Sequence, residues 1–118
     1  MNVFTYGTLM DPKVFYFFSS NKYEEESVIL KGYQRRHVKN AYYPGIIPSP
    51  EHSTKGKLYK NVVETDLAKL DHYEGDQYKK TMVKVENEKG EALDAVAYEF
   101  KNPENLMDCD WISEVKEK

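Results

Sequence analysis

The chain lacks the features that would mark it for an oxidising compartment, a membrane or a nucleic acid. Its single cysteine, Cys109, excludes a disulfide within the chain, and a reducing cytoplasm is the expected home. No apolar run approaches the roughly 20 residues that cross a bilayer, and no signal-like segment precedes the first strand pattern, so no membrane association is expected. Basic residues never cluster beyond Arg35-Arg36-His37, and the formal net charge is -3. An electrostatic stripe for nucleic acid is therefore not expected. The chain also lacks the second glycine and the lysine-serine/threonine pair of a phosphate loop, and it has no serine nucleophile elbow. His37, His52 and His72 show no metal-ligand spacing, and Cys109 has no neighbouring base. No metal, organic cofactor or thiol nucleophile is expected.

What the chain has in quantity is aromatic, with ten tyrosines and five phenylalanines among 118 residues. Tyrosine combines strand propensity with an apolar body and a polar tip, which suits the wall of a small barrel whose mouth holds a polar ligand. Most of the ten are equally well accounted for as half-buried strand residues. The length predicts one domain over residues 1–118, with enough chain for a single core.

Residues 2–6 pattern as a buried strand that breaks at Gly7. Asp11 followed by Pro12 marks a helix start, and Val14, Phe15, Phe17 and Phe18 give a short apolar helix ending near Ser19-Ser20. Residues 19–26 are expected as a loop. Residues 27–39 alternate around Gly32, which suggests a bulge or bend of the kind a barrel corner needs. Tyr42 to Gly45 pattern as a turn, Ile46-Ile47 as a short apolar piece, and Pro48 and Pro50 as breakers. A strand is expected over 54–59. A helix over 65–74 follows, capped by Thr65 or Asp66 and ended by Gly75. Strands over 78–86 and 92–100 flank a connection at 87–90, and an acidic tail follows with Trp111 as its large anchor. The expected class is α+β: a small closed mixed β-barrel of five to six strands with two short helices.

Two stretches carry candidate chemistry. Beyond Gly7 the backbone N–H groups of Gly7, Thr8 and Leu9 leave the ladder, and free amides at a strand end form a concave anion site. The residues alone leave open a plain glycine turn. Leu67, Leu70 and Glu74 stand at i, i+3 and i+7 on one helix face, so both leucines should enter the core and draw Glu74 towards low dielectric. Burial and the carbonyl end of the helix should both raise its pKa, as general acid–base work near neutrality requires. A helix-end glutamate that swings to solvent, or accepts from Tyr78, is the plainer reading.

Four segments in order, Phe4-Thr5-Tyr6-Gly7-Thr8-Leu9, Tyr43-Pro44-Gly45-Ile46, Lys55-Gly56-Lys57-Leu58-Tyr59 and Leu70-Asp71-His72-Tyr73-Glu74-Gly75 with Tyr78, resemble the gamma-glutamylcyclotransferase-like superfamily. The Met10-Asp11-Pro12 continuation and the tail around Asp110-Trp111 resemble its AIG2-like branch. The resemblance implies a small closed barrel with flanking helices and an acyltransferase-type reaction. In it, the α-amine of a γ-glutamyl compound attacks its own γ-carbonyl and releases 5-oxoproline with an amine or amino acid. It implies Glu74 as the acid–base residue and Tyr6, Gly7, Thr8 and Leu9 as the cradle for the glutamyl group. Tyr78 and Tyr98 are implied as cavity hydrogen-bond donors. One departure is Lys80, where the family commonly has arginine; lysine keeps the charge and loses the bidentate fork. The competing functions are a non-catalytic module binding a small acidic metabolite in the same cavity, and an interaction protein using its tyrosine-rich face and acidic tail.

Overall fold

Alternation of apolar and polar residues with a period of two sends successive side chains to opposite faces of a strand. In this chain the inner face is buried throughout the barrel, and the outer face is buried where the helices cover it. The computed structural model describes residues 1–19 and 21–111, so Ser20 and residues 112–118 of the acidic tail lie outside the described residues. The elements, in order, are β1 (Val3–Thr5), α1 (Pro12–Phe18), β2 (Glu25–His37), β3 (Pro44–Tyr59), α2 (Glu64–Glu74), β4 (Tyr78–Asn87) and β5 (Ala92–Phe100). The strands close into a barrel in the order β1-β3-β2-β4-β5. Only the β1–β5 seam is parallel, and every other pair is antiparallel. The expected α+β barrel with two short helices is the observed one, with five strands.

Two apolar clusters follow from the two faces. Phe4, Val28, Leu30, Ile46, Leu58, Val83, Val85, Ala95 and Ala97 pack together without any helical residue, which places them inside the barrel. Their neighbours Val3, Tyr59, Val96 and Phe100 point the other way and pack under the helices with Phe15 and Leu70. The Phe15 ring stacks nearly face to face on Tyr59, at 3.7 Å between centroids and 8° between planes. The Asp11 carboxylate accepts from the Lys13 amide and caps α1, with Pro12 at the first helical position as expected.

The strand reading of 46–59 needs correction. Pro48 and Pro50 do not break the chain, because β3 runs unbroken from Pro44 to Tyr59. The register explains their tolerance: Tyr33 faces Pro48 while Lys31 faces Ser53, so residues 49–52 swell out opposite Gly32 alone. Pro50 lies within this excursion and removes no ladder hydrogen bond, while Pro48 stands at its edge, paired with Tyr33. Gly32, at φ +85°, supplies the expected bend.

The cap of α2 is the second correction. The helix begins at Glu64, and neither Thr65 nor Asp66 caps it; Val63 stands at that place without a side-chain bond. Asp66 is instead buried to 2% exposure and accepts hydrogen bonds from Ser19 Oγ, Asn21 Nδ2 and Tyr23 Oη. A buried carboxylate tolerates such a site only with donors around it, and here they tie the α1–β2 loop to α2. Gly75, at φ +75°, ends the helix as expected. No helix among the described residues is long and apolar enough to cross a membrane. Asp66→Asn should lower the unfolding free energy by about 1–3 kcal/mol, the range for hydrogen bonds to a charged acceptor, measured by urea denaturation.

Candidate active site

β1 is only three residues long, so the chain leaves the sheet at Tyr6 and enters a tight 3-10 turn over Thr8–Met10. The turn closes through bonds from Met10 N to Gly7 O and from Asp11 N to Thr8 O. Among the described residues nothing accepts the N–H of Gly7, Thr8 or Leu9, the three amides read from the sequence as a cradle. A helix this short has no useful macrodipole, so these amides act as individual donors. Gly7 is required by space: a Cβ there would lie 2.8 Å from Cγ of Pro44, inside any real contact distance.

Four ties fix the loop. Tyr6 Oη donates to Tyr98 O at 2.6 Å, and the Arg35 guanidinium donates to Tyr6 O at 2.8 Å. Tyr59 Oη donates to Leu9 O at 2.9 Å, and the Gly7–Met10 bond closes the turn between them. Opposite, Tyr78 Oη donates to Pro44 O at 2.6 Å and holds the start of β3 against β4.

These segments enclose a cavity of about 240 Å³, lined by residues 4–9, Tyr43, Pro44, Tyr73, Glu74, Gln77, Tyr78 and Tyr98. This lies near or below the lower end of small-molecule pockets, typically about 300–1,000 Å³, and so fits a small metabolite. The structure thus gathers all seven site residues named from the sequence. Five of the ten tyrosines line it.

Glu74 is the only ionisable carboxylate in that wall. Leu70 is fully buried and Leu67 packs partly against the core, so the helix face carries Glu74 inward as its spacing predicts. Part of the residue's surface still meets solvent, yet protein surrounds the carboxyl group. Desolvation raises its pKa from 4.5 to about 7 and is the cause of the shift; no added effect of the helix end is resolved. Among the described residues it has no hydrogen-bond or ion-pair partner. The plainer reading, a bond from Tyr78, does not hold, since that hydroxyl is committed to Pro44. Glu74 lies close enough to Tyr6, Tyr78 and Tyr98 that its charge adds to the rise that burial imposes on all three phenols. These tyrosines stay neutral at physiological pH.

The expected donor role of Tyr78 and Tyr98 takes a different form. Tyr98 Oη donates to Asp71 Oδ1, so both hydroxyl protons are used within the protein. The rings and hydroxyl oxygens are what these residues offer a ligand. Lys80 donates to the other Asp71 oxygen at 2.8 Å. With Tyr98 on one oxygen and lysine on the other, this carboxylate is filled without an arginine fork.

Sequence reasoning assigned no role to Tyr43, Tyr73, Gln77 or Asp71. Tyr43, Pro44, Asp71 and Tyr73 stood within segments that carry the family resemblance but had no role of their own, and Gln77 carried no signal. Tyr43 Oη donates to Gln77 Oε1 at 2.9 Å, and the Tyr73 ring packs on Phe18 at 4.4 Å between centroids. No group of three or more His, Cys, Asp or Glu side chains able to hold a metal occurs among the described residues.

A family model described as gamma-glutamyl cyclotransferase, AIG2-like, matches residues 3–113. The chain belongs to this family. AIG2-like protein C of Arabidopsis thaliana is 30% identical over 105 residues, covering 88% of this chain and 61% of that protein. AIG2-like protein A of the same plant is 36% identical over 87 residues, covering 74% and 53%. This chain therefore spans a little over half the length of these curated relatives. Among solved structures, one from Arabidopsis thaliana aligns with a TM-score of 0.79 at 31% identity, over 91% of this chain and 74% of the other. A gamma-glutamyl cyclotransferase aligns at 0.77 with 18% identity, over 86% and 67%. A mouse AIG2-like protein aligns at 0.73 with 19% identity, over 98% and 97%. The last two likenesses show the shared fold.

The raised pKa of Glu74 has a consequence for stability. The folded protein holds the proton between pH 4.5 and about 7 where the unfolded chain has lost it. The contribution is complete below pH 4.5 and is lost as pH rises through 7, a change on the order of 3 kcal/mol. The melting temperature of Glu74→Gln should therefore gain on the parent protein between pH 4.5 and 7.5 and then level off, as followed by thermal melts across pH. At Gly7, even alanine should lower the melting temperature more than Thr8→Ala does, by thermal melts, because its Cβ meets the Pro44 ring.

Proposed function

We propose that the protein is a γ-glutamyl cyclotransferase that converts a γ-glutamyl compound into 5-oxoproline and an amine or amino acid. One domain over residues 1–118 carries the site in this reading, and the exposed free thiol of Cys109 suits a reducing cytoplasm. The observation that carries the proposal is a lone, unpartnered carboxylate with a pKa near 7 in the same small cavity as three free backbone amides. An anion-binding module alone gains nothing from an acid on its wall, whereas an acid–base reaction on an anionic substrate needs both.

The amides of Gly7, Thr8 and Leu9 hold the negative end of the glutamyl group, and the cavity folds the chain so that amine meets γ-carbonyl. Holding the two in a near-attack arrangement converts lost entropy into rate. Glu74 removes a proton from the α-ammonium, the nitrogen attacks the γ-carbon, and the tetrahedral intermediate collapses with cleavage of the original C–N bond. In all, two protons leave the attacking nitrogen and two reach the departing one. A carboxyl with a pKa near 7 is suited to both transfers. No water is consumed and no electrons change hands.

Mass-spectrometric detection of 5-oxoproline across a panel of γ-glutamyl amines and γ-glutamyl amino acids tests the reaction. On a substrate so found, Glu74→Gln should lower kcat by about 10²–10⁴ with substrate binding retained. Unchanged turnover would remove Glu74 from the mechanism.

A further inference from the structure

Arg35 belongs to the longest basic run in the sequence, Arg35-Arg36-His37, and its side chain does not line the cavity. It nevertheless reaches the cavity wall from behind. Arg35 lies on β2 opposite Ile46 of β3, and its Nη1 donates to the carbonyl of Tyr6 at 2.8 Å. The remaining edge of the guanidinium forks onto Asp110, with Nε at 2.8 Å from Oδ1 and Nη2 at 3.1 Å from Oδ2. The Trp111 ring covers its face, 5.5 Å from Cζ to the centroid, and Trp111 Nε1 donates to Tyr42 O at 3.0 Å.

The chain before Asp110 is itself laced to β2 and the residues after it. His37 N donates to Cys109 O, Met107 N to His37 O, and Lys39 N to Asn105 O. Asp110 is therefore delivered to Arg35 by backbone pairing, and the guanidinium holds its carboxyl below the usual aspartate range. A bidentate, ring-covered guanidinium is fixed in orientation in a way that an isolated surface cation is not.

A trans peptide points its C=O and its N–H in opposite directions. Pinning the Tyr6 carbonyl towards Arg35 therefore aims the Gly7 N–H away from Arg35, towards the cavity that Tyr6 and Gly7 line. The cation on the carbonyl also polarises that peptide and strengthens its N–H as a donor. We propose that Arg35 is a positioning residue for the anion cradle: it orients and polarises the Tyr6–Gly7 peptide, while Asp110 and Trp111 hold the guanidinium in place. The proposal rests on the reading of the Gly7 amide as a ligand donor.

The test uses the full chain, labelled with ¹⁵N, carrying Arg35→Gln, Arg35→Lys or Asp110→Asn. Residual dipolar couplings report the direction of the Gly7 N–H without any ligand. In Arg35→Gln this vector should turn while couplings in β4 and β5 stay fixed. Affinity for 5-oxoproline should fall roughly ten- to hundredfold, as for one hydrogen bond to a charged group. Arg35→Lys should recover part of the loss. KM should rise more than kcat falls, and the acid limb of the pH profile should stay in place because Glu74 is untouched. A Gly7 vector unchanged in Arg35→Gln overturns the proposal. Should that variant fail to fold, Asp110→Asn carries the test: a smaller turn of the same vector supports the proposal, and none overturns it. A vector that turns in a protein whose parent binds no 5-oxoproline supports the positioning of the peptide and overturns the function assigned to the cradle.

Discussion

Three residues close this barrel, and the site depends on their number. Val3, Phe4 and Thr5 pair with Tyr59, Leu58 and Lys57 on one side, and Val3 meets Val96 across the parallel seam. The seam is fastened by Asn2, whose carbonyl accepts from Val96 N and whose side chain donates to Asp94 O. A longer β1 would carry its ladder past Tyr6 and consume the amides that follow. Ending at Thr5 leaves the next peptides without strand partners, and the proposed cradle depends on that early exit.

The strands and their faces were legible where burial follows a period of two, as in β4, where Val83 and Val85 are buried and Met82 is exposed. Pro48 and Pro50 misled because a local rule about missing donors was applied without the register, which places Pro50 in an unpaired excursion and Pro48 at its edge. Asp66 misled in the opposite sense. Near a helix start an aspartate is usually a cap, and only the distant Ser19, Asn21 and Tyr23 reveal its role as a buried tie.

The candidate site divides along the same line. Glu74 was legible from two leucines on its own helix face, since two helical turns bring all three into line. The Arg35–Tyr6 bond spans 29 residues and the Tyr98–Asp71 bond 27, and no local pattern announces either. Asp71 in particular stands within a quoted motif, yet its partners Tyr98 and Lys80 arrive from two other strands. Long-range polar ties of this kind depend on tertiary structure and leave no periodic trace.

The cavity walls are joined by side chains that each cross to another element: Tyr6 to β5, Tyr59 to the β1–α1 turn, Tyr78 to β3, Tyr98 to α2 and Arg35 to the end of β1. Such a frame keeps its shape with nothing inside it. A ligand of the proposed class would order itself and displace water there, with little protein surface folding over it. Calorimetry of binding would then show a heat-capacity change set by the small apolar area of the ligand, without the large term that accompanies a segment folding on contact.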